Sequence, residues 1–208
     1  MSILDEASAR RFVEELADRE ALERLGLLVD LLMDENSRQN LISKPSQSQV
    51  WQRHIADSAQ LLKFVPRETC DSGDGVWLDL GTGAGFPGLV VSAICPQMPV
   101  ILVESRRRRV EWLERAKAEM GLSKCEIDGR RLEVVEPFPA RFISARAFAR
   151  LPQLLKLSAP FSTAATTYLL PKGRSAAQEL QQQPSKSRKL FHVEQSLTDP
   201  EAGIIVSN

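Results

Sequence analysis

The segment Val76 to Gly88, VWLDLGTGAGFPG, restricts the fold of this chain more than any other. A run that is apolar but for Asp79 leads into Gly81, Gly83, Gly85 and Gly88, with Pro87 placed where a helix would begin. A short apolar run bounded by turn residues reads as a buried strand. Glycine at its end permits positive φ and close approach of the main chain to a ligand. Proline suits the first turn of a helix, where its missing N–H would have no partner anyway. Strand, glycine turn and helix in this order make the first unit of a doubly wound sheet, whose ligand lies beyond the carboxyl ends of the strands.

The chain after residue 75 continues that pattern. Short β-prone runs over 76–80, 100–103, 125–127, 142–145 and 166–170 alternate with helical spacing near 88–95, 106–120, 151–158 and 174–183, and 190–193 with 204–206 form a closing pair. Such alternation predicts an α/β fold with a parallel sheet covered by helices. Before residue 75 the period is helical: 7–35 reads as one helix, 36–46 as a loop, 49–64 as a helix stopped by Pro66, and 68–75 as a linker. Two parts are expected, a helical extension over 1–67 on the substrate side and a ligand-binding domain over 68–208.

Of the 208 residues 43% are apolar, enough to fill a core, and 27 basic residues balance 27 acidic ones. The balance is uneven along the chain, with 12 basic against 8 acidic residues over 101–150. No apolar run approaches the roughly 20 residues a membrane-spanning helix requires. Cys70, Cys95 and Cys125 form no metal-ligand spacing, and an odd count without a leader sequence predicts reduced thiols in a cytoplasm and no metal. Cys95 reads as a buried structural thiol.

Two glycine frames overlap. Gly83-x-Gly85-x-x-Gly88 would pass as a dinucleotide fingerprint, but its first glycine lies three residues past Leu80, whereas Asp79-x-Gly81-x-Gly83 begins at the strand end. The second frame resembles motif I of S-adenosylmethionine-dependent methyltransferases. A Walker-type phosphate loop is excluded, since no Gly-Lys-Ser/Thr follows. Glu104, at the end of the second expected strand, can accept both ribose hydroxyls of an adenosine. The third strand is followed by Asp128 to Glu133, where a contact to the adenine amine is expected.

For the acceptor, no Asn/Asp-Pro-Pro-aromatic motif follows the fourth strand to orient an exocyclic amine, and Cys95-Pro96 reverses the Pro-Cys order of pyrimidine carbon-5 enzymes. An acceptor with an in-plane lone pair, such as guanine nitrogen 7, loses no proton and needs no general base, so positioning supplies most of the rate. Asn40-Leu41, RHIADS (Arg53 to Ser58), DLGTGAGFPG (Asp79 to Gly88), ARAFA (Ala145 to Ala149) and LPKG (Leu170 to Gly173), in this order, resemble the small-subunit (16S) ribosomal RNA guanine-7 methyltransferase family, also called glucose-inhibited division protein B.

The resemblance covers essentially the whole chain. It implies a Rossmann-like, seven-stranded class I fold using S-adenosylmethionine, with an N-terminal helical extension, acting as a cytoplasmic monomer on 16S ribosomal RNA in the small subunit or its assembly intermediate. Asp79, Gly81, Gly83, Gly85, Phe86, Glu104, Leu132, Glu133 and Arg146 are expected at the donor, Arg146 also at the guanine, and Asn40, Arg53 and Lys172 at the substrate. Pro171 departs from the Leu-Lys-Gly order common in the family. RHIADS is expected to hold the extension against the donor-site mouth, without catalysis by His54. One or two of Arg106 to Arg109 could face phosphate, since four consecutive helical residues point around the axis. A non-catalytic nucleotide-binding ribosome or division factor stays open as an alternative, and an NAD-linked oxidoreductase has no hydride-transfer acid to support it.

Overall fold

The computed structural model describes residues 2–207. Met1 and Asn208, the outer ends of the two expected parts, lie outside them. Asp5 opens α1 (Glu6–Glu14) by accepting the Ser8 N–H at 2.7 Å, and Asp18 opens α2 (Arg19–Asn36) by accepting the Ala21 N–H at 2.8 Å. The single helix expected over 7–35 is therefore two, because a carboxylate that satisfies otherwise orphaned N–H groups starts a new helix at Arg19. Buried Asn36 then folds the expected loop back, its Oδ1 accepting the Leu41 and Ile42 N–H groups at 2.8 and 2.9 Å. Within that loop lies a short helix, α3 (Lys44–Gln47), with Pro45 in its first turn.

The expected helix over 49–64 is continuous in path but changes pitch. It runs as a π-helical turn at Trp51–Ala56, then α4 (Asp57–Ala59), then a 3₁₀ turn at Gln60–Phe64. Glu6 of α1 caps its start, accepting the Trp51 and Gln52 N–H groups. The expected linker opens instead with α5 (Arg67–Ser72). Because α5 lies across the end of the next helix, Cys70 and Cys95 stand with Cα atoms 4.8 Å apart and are disulfide-bonded, which corrects the expectation of reduced thiols; Cys125 is a buried thiol.

The remainder alternates as β1 (Val76–Leu80), α6 (Gly88–Ile94), β2 (Val100–Val103), α7 (Arg107–Glu119), β3 (Cys125–Asp128), β4 (Ala140–Ser144), α8 (Leu151–Ser158), β5 (Thr167–Gly173), α9 (Ala176–Gln181), α10 (Ser185–Arg188), β6 (Phe191–Gln195) and β7 (Gly203–Ser207). The strands form one seven-stranded sheet in the order β3-β2-β1-β4-β5-β7-β6, parallel from β3 to β5, with β7 antiparallel to both its neighbours. Strand order reverses between β1 and β4, which makes that junction the switch point. Pro171 lies where β5 has passed the end of β4 and loses register with β7, a position that tolerates a missing N–H.

Alternating residues of each strand feed two cores. Trp77, Phe142, Leu169 and Ile204 face one cluster, which also holds Phe12, Leu25, Leu28, Leu32, Ile55 and the apolar residues of α6 and α7. Leu78, Ile143, Leu170 and Ile205 face the other, completed by Leu151 and Leu154 of α8 and Leu180 of α9. The N-terminal helices thus share a core with one face of the sheet. Among the described residues, no helix is long and apolar enough to cross a membrane.

Candidate functional site

At the switch point Asp79 is fully buried and ties β1 to β4. Its Oδ1 accepts from the Ser144 hydroxyl at 2.7 Å, Ser144 Oγ accepts from Trp77 Nε1, and Oδ2 accepts the Gly88 N–H at 3.1 Å. Burial pushes its pKa up, against the hydrogen bonds from Ser144 and Gly88. Asp79 therefore shapes the glycine turn from beneath and is not among the residues that line the cleft. Gly85 likewise faces the interior. A Cβ there would meet Leu89 Cδ1 at 2.3 Å and Leu113 Cδ2 at 3.1 Å, so the missing side chain makes room for core packing rather than for a ligand.

Above the carboxyl ends of the strands lies an open cleft of about 1250 Å³. Gly81, Gly83 and Phe86 of the turn, Glu104 and Arg106 after β2, Leu132 and Glu133 after β3, Arg146 and Phe148 after β4, and Arg53 and His54 from the extension all line it. Glu104 is held in place by the Gly83 N–H at 3.2 Å and the Arg106 N–H at 2.9 Å. Each carboxylate oxygen keeps a second acceptor site for a bound hydroxyl. Asp128 does not line the cleft, because Arg130 binds both its oxygens; the adjacent Leu132 and Glu133 do. Of the arginine run, Arg106 and Arg109 line the cleft, while Arg107 pairs with Glu111 on the outside.

Arg146 is the junction between the sheet and the extension. Its Nη1 donates to the Arg53 carbonyl at 3.2 Å and pairs with Asp57 at 3.4 Å, its Nη2 bonds His54 Nδ1 at 3.1 Å, and its guanidinium lies 5.3 Å from the Phe86 ring centre. Asp57 thus pairs with Arg146 and not with Arg53 four residues before it. The other Asp57 oxygen accepts from Thr198 and Gln60, which ties the extension to the β6–β7 loop. A guanidinium can only donate, so His54 Nδ1 accepts and the ring proton sits on Nε2, which is buried without a partner. The ring stacks on Phe86 at 5.0 Å.

Burial first, then the Arg146 and Arg53 charges, push the His54 pKa from 6.5 to about 3. The unfolded chain gains this proton near pH 6.5 and the folded one only near pH 3, so stability present above 6.5 is lost as pH falls through that window, by about 1 kcal/mol per pH unit. Urea titrations at two pH values inside the window are expected to show this loss in the parent and a shallower one in His54→Gln. Equal slopes in the two proteins would remove His54 as the titrating group.

Two expected substrate residues sit differently from their expectation. Asn40 is exposed beside the cleft, but its carbonyl is what the structure uses, accepting from Arg109 Nη2 at 2.9 Å, while Leu41 and Ile42 line the wall. Lys172 reaches the cleft edge with its ammonium turned inward, donating to the Ala149 carbonyl at 2.6 Å and pairing with Glu179 at 3.2 Å. With its side chain 6% exposed, Lys172 lines the cleft edge with its ammonium spent on Ala149 and Glu179. Asn36, Glu6, Asp57 and Glu179 are organising residues that periodicity alone does not reveal, since each acts on a partner remote in the chain or across a loop.

The family model for rRNA small subunit methyltransferase G matches residues 21–202. The chain belongs to this family. Membership makes methyl transfer to ribosomal RNA its reaction class. It is 59% identical to Ribosomal RNA small subunit methyltransferase G of Erythrobacter litoralis, over 98% of this chain and 96% of that one, and 53% identical to the protein of the same name from Novosphingobium aromaticivorans, over 99% and 89%. The fold also resembles a ribosomal protein L11 methylase of Lactobacillus delbrueckii subsp. bulgaricus (TM-score 0.56, 13% identity, 74% and 77% covered). A second structural relative is a mutant of MtNAS in complex with S-adenosylmethionine (TM-score 0.55, 14% identity, 99% and 84% covered). The seven-stranded methyltransferase fold expected from the motif set is the fold of this family member.

Proposed function

We propose that this chain transfers the methyl group of S-adenosylmethionine to ring nitrogen 7 of a guanine in 16S ribosomal RNA, within the small subunit or an assembly intermediate, as a cytoplasmic monomer with no metal. The reading rests on one arrangement: a glycine-rich turn, Gly81 to Gly83, between Glu104 on one side and Arg146 on the other, at the switch point of a sheet in a member of this family. Glu104 would accept the ribose hydroxyls, Leu132 and Glu133 would flank the adenine, and Gly81, Phe86 and Arg146 would surround the reacting end. The donor supplies an electrophilic methyl on a sulfonium.

In this reaction the guanine nitrogen lone pair forms the new N–C bond while the S–C electrons return to sulfur, so the positive charge passes to the base and no proton leaves. The site fits such a step, because His54 is neutral and its Nδ1 is committed to Arg146. An arginine can contact guanine O6 while leaving nitrogen 7 free to attack. Exposed Arg53, Arg106, Arg131 and Arg150 rim the cleft without a carboxylate ion pair among the described residues, and would take flanking phosphates.

Purified protein, labelled donor and small subunits or stripped 16S RNA from cells lacking the protein provide the test. One 7-methylguanosine should appear, and KM for the RNA substrate should rise steeply with salt while affinity for S-adenosylhomocysteine barely moves. A methyl group on another atom would displace the guanine-7 assignment. Binding without turnover would return the chain to the non-catalytic alternative.

A further inference from the structure

The loop after β4 carries both Arg146 and Phe148 into the cleft, yet it has no regular structure of its own from Ala145 to Arg150. At its centre Ala147 holds φ at 55°, a conformation a residue with a side chain keeps only when its surroundings over-determine it. One end of the loop is fixed through Arg146 by Arg53, His54 and Asp57. The other end is fixed by two groups, one at the end of β5 and one on α9. Lys172 Nζ donates to the Ala149 carbonyl at 2.6 Å, and Glu179 Oε2 accepts the Leu151 N–H at 3.1 Å. The two side chains pair with each other at 3.2 Å, and Glu179 Oε1 accepts from the Ser175 hydroxyl at 2.9 Å. Burial acts to raise the Glu179 pKa, but the Ser175 hydrogen bond and the Lys172 charge leave it below its ordinary value.

We infer that Glu179, acting through Lys172 and the Leu151 N–H, is a positioning residue for methyl transfer: it clamps residues 149–151 and so sets the reach of Arg146 and Phe148 at the other end of the loop. The inference rests on the proposed methyl-transfer reading. Lys172 and Glu179 spend their charged groups on the loop and on each other, so the role assigned is positioning and not catalysis. A loop pinned at both ends holds its functional side chains within the tolerance that chemistry requires, and a misplacement of about 1 Å can cost two orders of magnitude in rate.

Glu179→Ala and Glu179→Gln are compared with the parent on small subunits. The alanine variant should lose roughly ten-fold in kcat with smaller changes in KM for the subunit and in S-adenosylhomocysteine affinity. Glutamine, which keeps a carbonyl acceptor for Leu151 but not the charge facing Lys172, should recover part of that loss. Amide hydrogen exchange should accelerate at 145–151 and not across the sheet. Parent-like kcat and exchange in the alanine variant would overturn the clamp, and so would uniform acceleration over the whole chain with a matching fall in melting temperature, since that is merely structural damage. If alanine fails to fold, glutamine carries the same comparison. Should the parent methylate no RNA, the functional reading fails, while the exchange measurement still decides whether Glu179 clamps the loop.

Discussion

Replacing Gly81 with valine is expected to weaken S-adenosylhomocysteine binding by about two orders of magnitude, the proportion that a misplaced site of roughly 1 Å can cost. Gly81 holds φ at 61°, and a Cβ there would stand 2.4 Å from Cδ2 of Phe148. The valine must therefore either abandon the left-handed conformation, or keep it at a cost of about 1–2 kcal/mol and displace the Phe148 ring. Both outcomes spoil the floor on which the donor is proposed to lie. Gly83→Ala makes the comparison sharp. Its φ is also 61°, but its Cβ would meet Arg109 Nη1 at 3.6 Å and the Gly81 carbonyl oxygen at 3.8 Å, both ordinary contacts, so it should lose stability with a much smaller change in donor affinity than the valine variant. Calorimetry decides, and parent-like affinity in the valine variant would move the donor away from this turn.

Arg146→Ala should cut kcat/KM for the subunit by roughly 10²–10³, the range seen when a donor aimed at a reacting group is deleted. Lysine is not expected to rescue it. The guanidinium simultaneously engages the Arg53 carbonyl, Asp57 and His54 Nδ1 while lying over Phe86, and a single ammonium cannot reproduce a planar fork. His54 would then also lose the donor that fixes its tautomer. An alanine variant keeping more than a tenth of parental activity would take Arg146 out of the reacting centre.

The sheet was readable because its signals are local. The apolar run before Gly81, the proline at the helix start and the alternating periods lie within a few residues of what they determine. The place of Glu104 beside the turn was readable for the same reason, since it directly follows β2. What escaped was set by partners remote in sequence. Asp79 looked like a ligand contact because it precedes the turn, but its pleat position points it into the core against Ser144, 65 residues away. Lys172 looked like a cationic substrate contact until Glu179 and Ala149 claimed it. The long N-terminal helix divided at Asp18 because a capping carboxylate outweighs apolar spacing that would otherwise run on. Cys70 fell in an expected linker that folds instead as a helix and stands beside Cys95.

The hydrophobic cluster shared by the N-terminal helices and one sheet face bears on how such an enzyme can diversify. Leu28, Leu32 and Ile55 belong to one cluster with Trp77 and Phe142 and with the apolar residues of α6 and α7. A lineage could not exchange these helices wholesale for another recognition module without stripping that face bare. New targets would have to be acquired by single changes on the cleft-facing side, at positions such as Asn40 and Arg53, while the buried side stays unaltered.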